Sequence, residues 1–253
     1  MGLHLYDFGP ADGRPLLTLH GLKSYGGRWR ELAELLPEFR VYAPDLRGNG
    51  RSPYEPPWSL EQHAADVLAV LDDRGVTQAD VVGHSFGGAV AIALARVAPD
   101  RVRRLVLLDP SIGVPAAVAL AAASQEFDVP SFADPDEAAA ACAGSWPESA
   151  HHRVPREVEE HLVRHADGRW RWRYHPPAAV TTFSELARDL PPPPGVPTLL
   201  VRATLASIPP EQVERWRSSA GRSMRVAEVH CGHLVYLELP GETAKLIRWF
   251  SQL

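Results

Sequence analysis

One run of this chain has the residue types and spacing for chemistry. Gly83-His84-Ser85-Phe86-Gly87 is a G-x-S-x-G sequence, with the apolar ADVVGH (79–84) leading into it and a nearly all-apolar segment, 86–97, after it. A serine at a sharp strand-to-helix turn sits in strained backbone with its hydroxyl exposed, and only small neighbours permit that turn. The helix beyond would aim backbone N–H groups and a positive dipole end at any oxyanion formed there. That context makes Ser85 a candidate nucleophile rather than an idle serine in a glycine-rich turn. A hydroxyl is a weak nucleophile on its own, so the chain must also supply a base for its proton and an acid to hold the base.

The elements that must position this serine show as alternating patterns. Candidate strands are 3–8, 15–20, 40–45, 79–84, 104–109, 198–203 and 225–230. Several are apolar on both faces, as parallel strands covered by helices on two sides are. Between them, 59–75 predicts the clearest helix. Ser59 and Gln62 form a capping-box pattern, Leu60, Ala64, Val67, Leu68 and Leu71 make one apolar face, and Gly75 can end it. Residues 86–97 predict a buried helix stopped before Pro99, and 240–252 a C-terminal helix. Such alternation means an open, mostly parallel sheet.

Residues 111–190 break the rhythm. They lack clear strands, are rich in Ala, His and Arg, and are closed off by PPPP at 191–194. They predict a helical insertion placed over the sheet. Within them GRWRWRYHPP (168–177) alternates arginine with Trp170, Trp172 and Tyr174, which predicts an extended segment with one aromatic face. That face is read as an anchor for the insertion against the sheet rather than a substrate contact. His161 and His165 have helical i,i+4 spacing without an obvious third ligand, so no metal site is expected. The GNG of RGNGRS lacks the third glycine of a dinucleotide fingerprint.

Composition narrows the partners. Apolar residues make 45% and charged residues 23% of the 253, as in ordinary globular proteins. A net charge of −5 argues against nucleic acid or an anionic membrane as the main partner. MGLHLYDFGP has neither a basic region nor a long apolar run, so no secretory signal is expected. Cys142 and Cys231 are isolated thiols, which suits a reducing compartment, and a cytoplasmic location is the expectation. Cys231 is read as a small buried filler.

Five pieces carry a resemblance to a known family. They are His20-Gly21 after a strand, DLRGNGRS (45–52), GHSFGG (83–88), RVRRLVLLDP (101–110) and GHLVYLELP (232–240). In order and spacing they resemble the esterase-like members of the α/β-hydrolase superfamily over nearly the whole chain. The resemblance implies an α/β fold with a mostly parallel eight-stranded sheet and a helical cap inserted after the sixth strand. Residues 1–110 and 191–253 would then form the core and 111–190 the cap. It also implies a serine acylated by an ester-like substrate and freed by water, with no cofactor.

By the same resemblance His233, in the loop after the last strand, is the general base. Histidine suits that task because its pKa lies near neutrality. His230 and His84 are rivals by residue type. The oxyanion donors would be the backbone N–H groups of Phe86 and Leu22. Most of the family carries the triad acid just past the seventh strand, but 202–212 reads RATLASIPPEQ, with Ser207 about where the aspartate would stand. Three alternatives stay open: Asp109 at the end of LVLLDP, Glu211 further on, or a dyad without a direct acid. Asp109 is preferred because it lies at the carboxyl edge of the sheet, where the site must be.

A serine at position 85, rather than an aspartate, favours acyl transfer on a small-molecule ester or lactone. Carbon–carbon bond hydrolases rank lower, because HGLKSYGG (20–27) does not show their usual glycine-rich oxyanion loop. A rival of another class is a ligand-binding protein or biosynthetic cyclase that has kept the pocket.

Overall fold

The structure is a computed structural model that describes residues 2–206 and 208–253. Ser207 therefore lies outside the described residues. The strands are β1 (Leu5–Phe8), β2 (Arg14–Leu19), β3 (Phe39–Pro44), β4 (Ala79–His84), β5 (Val102–Leu108), β6 (Leu162–Arg164), β7 (Trp170–Trp172), β8 (Thr198–Ala203) and β9 (Met224–Val229). The helices are α1 (Arg30–Glu34), α2 (Leu60–Asp73), α3 (Phe86–Val97), α4 (Ala116–Gln125) and α5 (Pro135–Ser145). They continue with α6 (Val154–His161), α7 (Pro176–Leu186), α8 (Pro210–Ala220), α9 (Val235–Glu238) and α10 (Pro240–Ser251).

The main sheet has the order β1-β3-β2-β4-β5-β8-β9. Only β1 runs antiparallel to its neighbour; the other pairs are parallel. All seven strands expected from the sequence are present. The eight that the resemblance implied are seven among the described residues, so the insertion follows the fifth strand of the chain, not the sixth. The difference is at the edge: β1 is the outermost strand and pairs only with β3.

Two apolar layers hold helices to the sheet. Leu17, Val81 and Leu107 face α2, α3 and α8 through Leu71, Val90 and Trp216. Leu16, Val82 and Val106 face the other way, onto Leu32 of α1 and Ile247 of α10. Neighbouring residues thus serve opposite layers, which is why these strands read as apolar runs instead of alternating. Each such side chain contributes about 1.5–3 kcal/mol by leaving water. Helix α2 begins as its sequence predicts, with Ser59 Oγ accepting from the Gln62 N–H at 3.2 Å.

The chain leaves the sheet after β5 and returns at β8. In between lie α4 to α7 and a two-stranded antiparallel hairpin, β6–β7. The hairpin corrects the expectation of an insertion without strands. β7 is part of the extended segment that the Arg–Trp alternation predicted, while β6 is only three residues long, too short for alternation to register. Trp170 and Trp172 pack with Phe132, Ala138 and Leu162 into a small core of the insertion's own. Trp172 also stacks on His161, which stacks on Tyr25 outside the insertion. Backbone of the same stretch adds to that contact: Gly50 N–H donates to Arg173 O at 2.7 Å and His175 N–H to Gly48 O at 2.8 Å.

Ion pairs add a second seam. Arg28, just before α1, meets Glu157 of α6 at 2.6 Å with Glu157 buried and Arg28 mostly so, and Arg30 meets Glu160 at 3.1 Å. Burial alone would raise the Glu157 pKa, but Arg28 and His161 outweigh it and hold the carboxyl at about 2. His161 reaches Glu157 Oε1 at 2.9 Å and stacks between Tyr25 and Trp172.

Candidate active site

The connections set where a site can form. From β2 the chain passes through α1 to β3 on one side, and from β4 through α3 to β5 on the other. The strand order therefore reverses between β2 and β4, and open parallel sheets bind ligands at the carboxyl ends beside such a switch. The residues leaving those two ends are His20-Gly21-Leu22 and Ser85.

Ser85 stands between β4 and α3 with φ 54° and ψ −120°. A non-glycine residue held there costs about 1–3 kcal/mol, which the surrounding packing must sustain. The glycines show how tight the turn is. A Cβ on Gly83 would fall 2.4 Å from Gly87 O, and one on Gly87 would fall 2.2 Å from Leu19 O. The G-x-S-x-G spacing is thus a packing requirement as well as a motif.

His233 follows β9 in the loop before α9. Its Nε2 lies 2.8 Å from Ser85 Oγ and its Nδ1 lies 2.6 Å from Asp109 Oδ2. Asp109 is fully buried, with φ 42°. Its other oxygen, Oδ1, accepts from Ala203 N–H at 3.2 Å, and its own N–H donates to Val201 O. A carboxylate can only accept, so His233 Nδ1 carries the proton and Nε2 is the free acceptor facing the serine. Of the three alternatives left open by the sequence, the geometry matches the first: Asp109 is the acid brought to His233. Glu211 sits in the first turn of α8, the position that dipole reasoning expects.

Two other histidines hold the loops. His84 Nε2 lies 2.7 Å from the His233 carbonyl, and that contact requires an N–H. Burial, reinforced by the neighbouring His233, pushes the His84 pKa well below its ordinary value, so the ring is neutral. His84 is thus a support for His233 and not a rival to it, a role its residue type alone did not disclose. His20 donates from Nδ1 to Gly21 O at 2.7 Å and accepts the Leu46 N–H at Nε2. Both bonds need the neutral ring, and burial holds its pKa down at about 3. His230 lies elsewhere, with Nδ1 against Thr204 Oγ1.

The loop after β2 crosses in front of Ser85. A Cβ on Gly21 would lie 3.2 Å from Ser85 Cβ, so only glycine lets the loop come this close without displacement. Lys23 takes φ 54°, and its N–H donates to Asn49 Oδ1 at 3.1 Å. Asn49 belongs to DLRGNGRS, whose Asp45 accepts from Gly26 and Arg51 N–H. That motif is a brace for the loop. The N–H groups of Leu22 and Phe86, the two expected oxyanion donors, have no acceptor among the described residues. Phe86 N–H opens α3, where helical N–H groups have no intrahelical partner.

Sequence reasoning missed one neighbour. Ser111 Oγ lies 3.1 Å from Ser85 Oγ, and Ser111 N–H donates to Ser85 O. The only signal available was its place two residues after Asp109. Cys231 is fully buried, and burial lifts its thiol to about 11, in keeping with a filler.

The arrangement can deprotonate a serine hydroxyl, hold the resulting imidazolium against a buried carboxylate and offer two N–H groups to a developing oxyanion. Comparison with known proteins agrees with this setting. Residues 14–240 match the alpha/beta hydrolase fold family. The chain is similar to Lipase LipV of Mycobacterium tuberculosis, 39% identical over 97% of this chain and 96% of LipV. It is similar in fold to E-2-(acetamidomethylene)succinate hydrolase, with TM-score 0.87, 23% identity and coverage of 99% and 95% of the two chains. A thioesterase domain from the curacin biosynthetic pathway matches with TM-score 0.80 and 23% identity, over 97% of this chain and 94% of that one. With motif, topology and full-length similarity in agreement, the chain belongs to the alpha/beta hydrolase family.

Proposed function

We propose that the chain is a serine hydrolase that cleaves a small carboxylic ester or lactone through an acyl-enzyme. The observation that carries this reading is the hydrogen-bonded line from Asp109 through His233 to Ser85. Ser85 Oγ attacks the carbonyl carbon while its proton passes to His233 Nε2. Asp109 stabilises the imidazolium. The oxyanion points at the Leu22 and Phe86 N–H groups. As the tetrahedral species collapses, His233 gives the proton to the leaving oxygen. Water then attacks the acyl group with His233 as base again, the carboxylic acid departs and Ser85 regains its proton.

In this reading 111–190 acts as a cap and 1–110 with 191–253 as the catalytic core. The name of the full-length relative LipV supports an ester as the substrate class. The rival reading, a pocket that only binds, drew on the lack of an acid after β8. With Asp109 on His233 that motive is gone. The test is hydrolysis of p-nitrophenyl acetate by wild type and Ser85→Ala, a change that fits the turn. The variant should keep its fold and lose the activity. Hydrolysis above about one hundredth of wild type would point to another nucleophile.

A further inference from the structure

A cavity of about 300 Å³ lies beside the nucleophile, walled by Ala89, Ile92, Ser111, Ile112, Leu186 and Leu190. Ser111 belongs to two places at once: it lines this cavity, and its hydroxyl is 3.1 Å from Ser85 Oγ. Ala89, one turn along α3 from Ser85, puts the near end of the cavity about 6 Å from the nucleophile along the helix, and Arg96 puts its far end about 16 Å away. Its wall is firmly held, because Ser111 N–H donates to Ser85 O, Val114 N–H to Leu186 O, and Gln212 Nε2 to Ile112 O.

We infer that this cavity is the acyl-chain subsite, and that it takes a short to medium unbranched acyl chain; the inference rests on the function proposed above. Around the tetrahedral centre, three directions are already committed. One bond goes to Ser85 Oγ, the oxyanion faces the Leu22 and Phe86 N–H groups, and the leaving oxygen must face His233 Nε2 to be protonated. The acyl chain takes the remaining direction. Among the cavities of the described residues, this one has a wall residue hydrogen-bonded to the nucleophile's hydroxyl. Its inner wall is apolar; of its charged residues, Glu61, Arg188 and Glu185 are paired with one another, and Arg96 and Asp189 are exposed to solvent. It offers an acyl chain burial without a stranded charge. Small-molecule sites run from roughly 300 to 1,000 Å³, and this one lies at the lower end, which disfavours long or fused-ring acyl groups.

The test is the ratio of kcat/KM for p-nitrophenyl octanoate to that for the acetate. Ala93 also lines the cavity and is half-buried on α3, so Ala93→Phe fills the space at a position that can accept bulk. A misfit of a single methylene is worth roughly 10–200-fold. The ratio should therefore fall at least about tenfold in Ala93→Phe. Ala93→Leu, a milder change, should lower it in the same sense, and Leu190→Ala should raise turnover of the dodecanoate relative to the octanoate. Ratios that stay at the wild-type values in the folded variants overturn the subsite while leaving the function reading intact. A wild-type chain that hydrolyses neither ester overturns that reading, and the subsite with it.

Discussion

Asp109 Oδ2 and His233 Nδ1 lie 2.6 Å apart, across 124 residues of chain. The contact exists because β5 and β9 flank β8 in a parallel sheet and so end at the same edge. Asp109 leaves β5 with φ 42°, which turns its side chain toward the end of β9. The strand two positions from β9 thus brings a carboxylate to His233.

Asp109→Asn keeps the shape and loses the charge. The amide would also allow the wrong His233 tautomer. In a well-studied triad such a change costs on the order of 10⁴ in kcat. We expect a fall of about 10²–10⁴ in kcat with a smaller change in KM, measured by steady-state ester hydrolysis. Near-normal kcat in a folded variant would leave Ser85 and His233 working as a dyad.

His84 offers a finer test of positioning. Its N–H holds the His233 carbonyl, and one hydrogen bond contributes about 0.5–1.5 kcal/mol. His84→Leu should lower kcat about tenfold at little changed KM, and His84→Gln, which can still donate, should recover part of the loss. Equal kcat in both variants would show that the carbonyl needs no such support, because Val235 N–H also reaches it.

Much of this was legible in the sequence, for identifiable reasons. Each of the seven expected strands in the main sheet carries enough apolar residues to mark itself. Ser85 and His233 sit in local patterns fixed by turn geometry. Asp109 could be preferred but not chosen, since the choice needed the distance between two loops. In the hairpin, β7 was legible from its Arg–Trp alternation, but the three residues of β6 left too short a pattern to read. Ser111, His84 and the Arg28–Glu157 seam act across gaps that only the fold closes; the last spans 129 residues.

That seam makes its own prediction. Removing one partner of a buried ion pair strands the other, at about 3–5 kcal/mol. Arg28→Met should lower the unfolding free energy by that order in urea titrations. The double variant Arg28→Met/Glu157→Met should be distinctly more stable than Arg28→Met alone. A single variant as stable as wild type would mean that solvent reaches Glu157.

Stability should also fall in mild acid. His20 titrates at about 3 and His63 at about 4 in the folded chain, and His84 well below its ordinary value, all mainly through burial. The unfolded chain takes up these protons near pH 6.5. Protons thus bind the unfolded state first, so stability is full above about pH 7 and declines as pH drops through 6.5 toward 4 and below. Each group contributes up to about 1.4 kcal/mol per pH unit in that window. Three together give up to about 4 kcal/mol per unit near pH 5, before Glu157 adds a loss of the same sign below its unfolded pKa. Urea midpoints at pH 7 and pH 5 read this directly, and equal midpoints would contradict it.

On the proposed mechanism Ser85, activated through His233 by Asp109, becomes covalently bound. Intact-protein mass after exposure to a fluorophosphonate tests it most directly, with wild type, Ser85→Ala and Asp109→Asn treated side by side. Wild type should gain one adduct with loss of fluoride, Ser85→Ala none, and Asp109→Asn the same adduct at least about a hundredfold more slowly. An adduct on Ser85→Ala, or a folded wild type that gains none, would contradict the account.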